Sequence, residues 1–541
     1  MAALAPTFRA PFVYDDYPYL VENGDLAGSL ARVPRLFTVS FPSQAPERGL
    51  YRPVTALSLR LDRLGGAASP ARSHAANVLL VGALVVAVWA LLRRIASPAA
   101  AAAGTLLFAV HPVHVEPFAW VAGRAEILAA IFACVSLAAL SDFARAGGRG
   151  RALAGALALL AGILSKENAV VALPLLGLLV LLERPRPARW KAALSAAGAA
   201  VVIALGARLA VLHGLGPTAG HIVSPAGLAA RGPLIVAAAG EHLRLLVWPH
   251  PLFLERMPHA PLAWSEPSVL EGALALAATL LVLVATRRRP ELFALAAWPV
   301  VALVPVMHFV PIGETVAERF LVLPSVGACA LAGALLVGGP RAIRWRTGLL
   351  AVLVAAGLAA TTSRARVWGD EAALWRDAVV HEPASALAHA ALGDALARRG
   401  DEAGAEAAYR GALGLDAGLT VARLALAQVL DRQGRAEAAL EETREAVAHD
   451  PEHPIALNHL GARLARVGRV EEAIRCFRRA VEVAPGYGAA LRNLAAASLE
   501  TGRPEEARAL LARARAADPS LPGLDDLAAR LDAFRAGAPA R

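Results

Sequence analysis

Residues 75–94 read AANVLLVGALVVAVWALLRR, an apolar run that ends in two arginines. A helix needs about 20 mostly apolar residues to cross the ~30 Å hydrocarbon core of a bilayer, and about 17 is the usual lower limit. Similar runs recur along the first two thirds of the chain. The sequence therefore predicts an all-α, multi-spanning transmembrane bundle with ten crossings, at residues 75–92, 97–110, 117–140, 151–164, 168–183, 191–212, 269–286, 291–309, 320–338 and 346–362.

The composition of the 541 residues is that of a membrane protein. Hydrophobic residues make up 57% and charged residues only 18%, whereas soluble domains carry roughly 25% charged residues. The same values exclude a disordered chain, which needs low hydrophobicity and high net charge. The net charge of +10 divides into −4 for residues 367–541 and +14 for residues 1–366. Because the basic excess lies in short loops between apolar runs, it indicates membrane topology and no nucleic-acid partner.

The arginine-rich loops predict the orientation of the bundle. Residues 232–248 contain Glu241, His242 and Arg244, charges that are costly at the bilayer centre, so we interpret them as an interfacial or re-entrant helix. With that stretch excluded, all strongly basic loops fall on one side, which the positive-inside rule makes the cytoplasm. Segment 1–74 and the C-terminal part then lie outside. The basic loops are those of Arg93 and Arg94; Arg145, Arg149 and Arg151; Arg184, Arg186, Arg189 and Lys191; Arg287, Arg288 and Arg289; and Arg341, Arg344 and Arg346.

The last third of the chain repeats every 34 residues. Glycine recurs at 400, 434, 468 and 502, with a leucine eight residues before each one and alanines five and twelve residues after it. This is the pattern of tetratricopeptide (TPR) repeats, in which glycine permits the turn between two paired helices. Proline, which ends the second helix, follows at 451, 485 and 519. The pattern predicts a right-handed α-solenoid of four repeats whose groove binds a protein partner; a spacer or dimerisation module is the alternative.

The predicted domains follow from these patterns. They are a first extracytoplasmic loop at 1–74, the transmembrane bundle at 75–366, a connecting helix at 367–385, four TPR repeats at 386–521, and a capping helix with a tail at 522–541. Three widely spaced cysteines form neither a disulfide framework nor a metal-binding spacing.

Two adjacent acids, Asp15 and Asp16, lie near the start of the first outer loop. A carboxylate in such a position can act as a general base with a polar companion. A helix cap or a solvated turn would use the same residues.

A polar stretch follows the second predicted span and contains His111, His114, Glu116, Arg124 and Glu126. The spacing of its histidines and carboxylates matches no common set of metal ligands, so we expect neither a metal nor another cofactor. Arg124 can hold a phosphate through its planar guanidinium, or it can simply mark a helix end.

Two further cations interrupt apolar runs on the same predicted side. Lys166 lies in the sequence Ser-Lys-Glu-Asn at 165–168, and Arg319 lies in Glu-Arg-Phe at 318–320. Both suit the phosphate of a lipid headgroup, and both also suit a polar turn between spans.

Seven short motifs precede the repeats along the chain: Tyr14-Asp15-Asp16, Tyr51-Arg52-Pro53, His74 to Asn77, His111 to Glu126, Ser165-Lys166-Glu167, Trp248-Pro249 and Ala317 to Gly327. In this order, and followed by the repeats, they resemble the transmembrane and tetratricopeptide-repeat-containing O-mannosyltransferases and their bacterial relatives. These enzymes belong to the multi-spanning GT-C glycosyltransferases, which use polyprenyl-phosphate sugars. The resemblance covers nearly the whole chain, and 111–128 is its most specific part.

The resemblance implies an inverting transfer of mannose or another hexose from a lipid-linked donor to an extracytoplasmic hydroxyl, such as that of a protein Ser or Thr, or of a glycan. Asp15 matches the position of the base, and Asp16 that of the neighbouring acid. The leaving phosphate needs positive charge, and the cations available for it are Arg124, Lys166 and Arg319. His111, His114, Glu116 and Glu126 complete the predicted substrate- and lipid-phosphate-binding residues.

The expected location is a bacterial inner membrane, with the repeats outside the cytoplasm. Arginine far outnumbers lysine, which occurs only at 166 and 191, and this bias together with the abundance of Ala, Gly and Pro is typical of a GC-rich bacterial genome. In the family that the chain resembles, a membrane helix precedes the Asp-Asp loop. We therefore expect that the natural reading frame continues upstream into such a helix.

The sequence alone also permits two functions other than glycosyl transfer. A non-enzymatic TPR scaffold for envelope assembly would use the polar loops only to solvate the ends of its spans. A transporter is a third possibility, although no paired charges face each other within the predicted spans.

Overall fold

The computed structural model describes the chain except residues 1–3, 5, 8–9, 27–29, 44–48, 65, 215–229, 255, 257–261, 310–313, 338–343, 519–520 and 536–541. Arg341 of the last basic loop and Pro519 of the last repeat therefore lie outside the described residues. All regular elements in the described part are helical, apart from one isolated bridge between Arg256 and Val316. The all-α prediction is confirmed. The chain forms two compact units, Met1–Asp377 and Ala378–Arg541.

The described residues of the first unit form thirteen α-helices and the start of a fourteenth. They are α1 Pro53–Asp62, α2 Pro70–Ile95, α3 Pro98–Ala109, α4 Val115–Ala119, α5 Arg124–Ala146, α6 Arg149–Ser165, α7 Ala172–Leu182, α8 Trp190–Leu212, α9 Gly232–Val247, α10 Pro267–Thr286, α11 Pro290–Leu303, α12 Val322–Val337, α13 Arg344–Trp368 and α14 Glu371–His381. Short 3₁₀ turns lead into some of them, at Pro112–His114, Glu167–Val171 and Glu318–Leu321.

Six helical stretches among the described residues are long and apolar enough to cross a membrane. They are Pro70–Ile95, Arg124–Ala146, Trp190–Leu212, Pro267–Thr286, Glu318–Val337 and Trp345–Trp368. The pair Pro98–Ala109 and Pro112–Ala119, bent by 55°, makes a seventh if it counts as one span. The chain is thus a multi-spanning membrane protein, as predicted.

The ten predicted runs all coincide with helices, but not all of these are full-length spans. Helix α6 has 17 residues, and Glu167–Leu182 and Pro290–Val306 are also short apolar helices. The predicted span 117–140 begins instead at Arg124. A break before Arg124 brings Gly123 against the backbone of Pro117, where an added Cβ would lie 2.5 Å from the Pro117 carbonyl oxygen. Hydrophobicity alone does not show such a turn.

Glycines allow close packing of the helices in the first unit. An added Cβ on Gly240 of α9 would lie 2.1 Å from the Cα of Gly272 in α10, so the two backbones touch. Helices α3 and α12 meet in the same way through Gly104 and Gly333. Helix α5 is the most buried of the six spans, with 67% of its apolar window covered by protein. Small-residue contacts of this kind are the usual basis of helix association in a bilayer.

Three of the basic loops meet at one end of the first unit. The Arg94 guanidinium binds Asp142 at 2.8–3.0 Å, and that of Arg145 binds Glu183 at 3.0–3.1 Å. The Arg189 N–H donates to the Ala144 carbonyl at 3.1 Å. We call the loops 93–97, 143–151 and 183–191 the arginine end. Their common position agrees with the predicted sidedness; the side of the membrane that they face stays a prediction.

The second unit is the predicted array of paired helices. The pairs are α15 Ala386–Arg398 with α16 Glu402–Leu415, α17 Thr420–Arg432 with α18 Ala436–His449, α19 Pro454–Arg466 with α20 Val470–Val483, and α21 Gly488–Glu500 with α22 Pro504–Ala517; α23 Leu524–Arg535 follows. The four repeating glycines have φ between 75° and 80°, a left-handed conformation that favours glycine. The described part of this unit contains four helix pairs followed by a final helix, and it confirms the predicted TPR α-solenoid.

Candidate active site

Four polar loops come together at the end of the first unit opposite the arginine end. We call the loops 13–16, 120–126, 165–168 and 314–319 the site end. Helix α5 connects the two ends, because it begins at Arg124 and ends at Ala146. Hydrogen bonds join loop 13–16 to loop 120–126, and loop 120–126 to loop 165–168. Most of the polar insertions that the sequence singled out are therefore neighbours in space.

The two aspartates of the first loop have different environments. Asp16 is fully buried, and its carboxylate accepts the N–H of Val13 at 3.1 Å and that of Ala122 at 2.7 Å. Burial raises the pKa of Asp16 from 3.8 to about 7, although the two backbone bonds favour the charged form. Asp15 is only partly buried. Asp16 thus fastens the loop to residue 122, while Asp15 is the carboxylate with access to solvent.

Tyr14 holds the loop from the other side. Its φ of 50° lies in the left-handed region, which is uncommon for a bulky residue and marks local strain. Its N–H donates to Glu371 at 3.2 Å, and its ring lies 5.3 Å from Trp375 and 6.0 Å from Trp120. The residue before Asp15 is therefore fixed by groups from α14 and from the end of α4.

Arg319 is held between two carboxylates. Its guanidinium forms ion pairs with Glu116 and Glu314, and its backbone N–H also donates to the Glu116 carboxylate at 3.1 Å. The guanidinium lies 5.3 Å from the Trp120 ring centroid, within cation–π distance. Glu116 is buried, whereas the side chain of Glu314 is 34% exposed. A ligand can therefore replace Glu314 on Arg319 more easily than it can replace Glu116.

Lys166 lies near Arg319 and is paired with a different carboxylate. It forms an ion pair with Glu126, which also accepts a hydrogen bond from Asn168 at 2.8 Å. Lys166 Nζ and the Arg319 guanidinium both lie 5.4 Å from the ring of Phe320. Burial lowers the pKa of the Lys166 ammonium. Two of the three predicted phosphate-binding cations thus lie near one aromatic ring.

Arg124, the third predicted cation, lies in a network of its own. It is fully buried and donates to Asp62 at 2.7 Å, to Asn77 at 2.7 Å and to the Ser73 carbonyl at 2.9 Å. A further bond reaches the carbonyl of Ser58. The structure thus places Arg124 among acceptors of the protein itself, where it ties α5 to α1 and α2.

The two histidines lie within the helical packing. The His114 side chain is buried and contacts Ser325 at 2.8 Å, and that of His111 contacts the Leu246 carbonyl at 3.2 Å. Their ring centroids are 5.7 Å apart. Among the residues that the structure describes, no three His, Cys, Asp or Glu side chains converge as metal ligands would.

A pocket opens beside Tyr14 and Arg319. Aromatic side chains form much of its wall, and Glu116, Glu314 and Arg319 supply the charged groups. Aromatic rings can stack on the C–H faces of a sugar and carboxylates can accept from its hydroxyls, but the cavity of about 20 Å³ admits a sugar only if its walls move apart. The remaining lining residues are Tyr14, Trp120, Phe253, Leu254, Val316, Ala317, Trp368 and Trp375.

Ion pairs that the sequence analysis did not anticipate support the site end. Glu167 binds Arg52 at 3.0 Å and Arg208 at 3.1 Å, which connects loop 165–168 to the first loop and to α8. Arg256 reaches both Glu241 at 3.0 Å and Glu318 at 3.6 Å. No local pattern identifies these partners, because they lie far apart in the sequence.

The repeat array matches a known protein family. Residues 370–419, 424–474 and 464–531 match the tetratricopeptide repeat family. This confirms the class of the second unit: the chain is a membrane protein that carries tetratricopeptide repeats.

Among curated proteins, the chain is similar to protein O-mannosyl-transferases. It is 37% identical to Protein O-mannosyl-transferase Tmtc1 of Drosophila melanogaster over 182 residues, which are 32% of this chain and 20% of that protein. It is 34% identical to the human Protein O-mannosyl-transferase TMTC4 over 157 residues, 25% of this chain and 21% of that protein. The match thus spans about one fifth of the length of these relatives. The resemblance seen in the motifs is confirmed at the level of sequence similarity.

A solved structure with a similar repeat is that of YrrB, described as a TPR protein with an unusual peptide-binding site. It is 22% identical, covers 34% of this chain and 89% of that chain, and has a TM-score of 0.26.

Proposed function

We propose that this protein is an inverting GT-C glycosyltransferase that moves a hexose, with mannose as the first candidate, from a polyprenyl phosphate to a hydroxyl acceptor. The observation that carries the proposal is the meeting, at one end of the bundle, of a solvent-accessible aspartate loop, an aromatic pocket and two cations. The similarity to protein O-mannosyl-transferases supports the class of reaction.

In the proposed mechanism Asp15 is the general base. It takes the proton of the acceptor hydroxyl as the acceptor oxygen attacks the anomeric carbon of the sugar. The bond between that carbon and the phosphate oxygen breaks, and the configuration inverts because attack and departure occur on opposite faces. The electron pair stays on the departing polyprenyl phosphate, which gains one negative charge.

Arg319 and Lys166 are the proposed stabilisers of that charge. A preorganised cation stabilises the transition state when it faces the atom on which charge develops. Arg319 lines the pocket, and its partner Glu314 is partly exposed. The donor phosphate would displace Glu314, while Glu116 keeps the guanidinium in place. The packing of Arg124 supports a positioning role for it instead.

Asp16 is a positioning residue in this scheme. Its two backbone hydrogen bonds fix the loop that carries Asp15, and Tyr14 and Glu371 fix the same loop from the opposite side. We further propose that the repeats bind the protein acceptor or a partner protein, and that both the site end and the repeats face away from the cytoplasm of a bacterial inner membrane.

The test is an assay of sugar transfer from a polyprenyl-phosphate mannose by the purified protein in lipid vesicles. Asp15→Asn should lower the rate by about 10²–10⁴, because the base is lost while the shape of the side chain is kept. Glu22→Gln is the matched control, since Glu22 is an exposed acid of the same segment and should tolerate the change.

Two results would count against the proposal. Transfer at the normal rate by folded Asp15→Asn would remove the assignment of the base. The absence of transfer from any polyprenyl-phosphate hexose by the wild-type protein would favour a scaffold. Mass spectrometry of envelope proteins and glycans from a deletion strain would identify the acceptor.

A further inference from the structure

A groove at the arginine end lies outside the proposed active site. It runs between α2, α5 and α6 and has a volume of about 370 Å³. Small apolar side chains form most of its wall, and charged side chains border it. The lining residues are Ala87, Ala90, Arg94, Val135, Ala138, Ala139, Asp142, Gly150, Arg151 and Ala154.

Positive side chains outnumber negative ones at the border of this groove. Asp142 is already occupied by Arg94, with three contacts of 2.8–3.0 Å. Arg151 donates to the carbonyl of Gly147 at 3.0 Å, and within the described part of the chain neither Arg151 nor its exposed neighbour Arg149 forms an ion pair. Arg151 at the rim of the groove, and Arg149 two residues before it at the start of α6, are therefore available to an anion.

The depth of the groove in the bilayer can be inferred from Trp89. This tryptophan is 41% exposed, and the Arg93 guanidinium lies 4.8 Å from its ring centroid. Exposed tryptophan paired with arginine is typical of the headgroup level of a membrane. The groove extends from that level toward the apolar middle of the helices, with Ala87 and Val135 in its wall.

We infer that this groove binds an anionic phospholipid of the leaflet at the arginine end, with its phosphate at Arg149 and Arg151 and one acyl chain along the alanine wall. Charge complementarity selects the occupant, because basic pockets between transmembrane helices attract anionic headgroups. A zwitterionic lipid would fill the same apolar wall without satisfying the excess positive charge.

The test is native mass spectrometry of the full-length protein, delipidated in detergent and titrated with phosphatidylglycerol or phosphatidylcholine of identical acyl chains. Phosphatidylglycerol should be retained preferentially. The double variant Arg149→Gln/Arg151→Gln should lower its apparent affinity about 25-fold, since each basic residue near the surface contributes about fivefold. Arg288→Gln/Arg289→Gln is the control, because it removes the same charge from another basic loop.

A second variant tests the chain-binding wall separately. Ala154 is exposed and lines the groove, so Ala154→Phe should fill the groove without disturbing the core, and should also weaken retention. Equal binding of the two lipids, equal loss in the control variant, or displacement by inorganic phosphate alone would each overturn the inference.

Discussion

Asp15 and Asp16 are adjacent in sequence, yet their environments give them different tasks. The side chain of Asp16 is enclosed, and burial outweighs two favourable N–H bonds in raising its pKa to about 7. Sequence analysis identified the pair and, through the resemblance, assigned the base to Asp15. It could not show that Asp16 binds residue 122, because that contact joins segments more than 100 residues apart.

The raised pKa of Asp16 predicts a pH dependence of stability. A carboxyl group whose pKa is higher in the folded than in the unfolded state favours folding in its protonated form, so its contribution is lost as the pH rises from about 4 to about 7. The melting temperature of the wild-type protein should therefore fall between pH 5 and pH 8 more than that of Asp16→Asn. Differential scanning fluorimetry in detergent measures both, and parallel pH curves would contradict the prediction.

Arg124 provides a second prediction at the scale of a residue. Arg124→Gln should destabilise the protein by about 3–5 kcal/mol, because removing one partner of a buried ion pair leaves the Asp62 carboxylate uncompensated. Arg94→Gln breaks a pair with Asp142 whose side chains are about one third exposed, and should cost only about 0–1 kcal/mol. Thermal unfolding in one detergent compares the two; equal losses would show that the Arg124 network is not structural.

At the scale of helices, the sequence predicted which segments are helical better than it predicted the residues at which those helices begin and end. Each predicted apolar run coincides with a helix over most of its described residues, because an exposed backbone polar group is too costly inside a bilayer to permit another structure. The ends differ where a turn interrupts an apolar run, as at Gly123. The repeats were predicted more accurately, since each 34-residue unit carries its own turn glycine, and four copies fix the phase.

The contact between α9 and α10 yields a prediction about helix packing. Gly272→Val should separate the two helices, because any Cβ at that position would lie 2.3 Å from the Val236 carbonyl oxygen. We expect a destabilisation of about 1–3 kcal/mol or more from overpacking. Gly198→Val is the matched control in α8, where an added Cβ meets nothing within 4 Å. Similar thermal stability of both variants would contradict the packing seen between α9 and α10.

At the scale of the whole molecule, the scarcity of lysine offers a test of orientation. Lys191 is exposed at the arginine end, whereas Lys166 is largely covered and bound to Glu126. A membrane-impermeant amine reagent should therefore modify Lys191 only from the cytoplasmic side, because the positive-inside rule places the arginine end there. Peptide mapping of intact spheroplasts and of inverted vesicles measures this. Modification of Lys191 in intact spheroplasts would reverse the assigned topology.

The candidate site could not be predicted completely from local sequence patterns, because its residues come from distant parts of the chain. Asp15, Lys166 and Arg319 were visible as polar residues in an apolar chain, and the structure places both Lys166 and Arg319 5.4 Å from the ring of Phe320. The contributions of Glu371 and Trp375 were not visible. They lie about 360 residues after the loop that they hold, in a helix that the sequence assigns only to a connection.

The aromatic wall of the pocket has a practical consequence. Trp120, Trp368 and Trp375, three of the nine tryptophans, line it, and a guanidinium lies over the ring of Trp120. A sugar that enters would change the polarity around these indoles and the position of that charge. Intrinsic fluorescence should thus report donor binding directly, without a label and without turnover. Affinities could then be compared among lipid-linked sugars before any acceptor is identified.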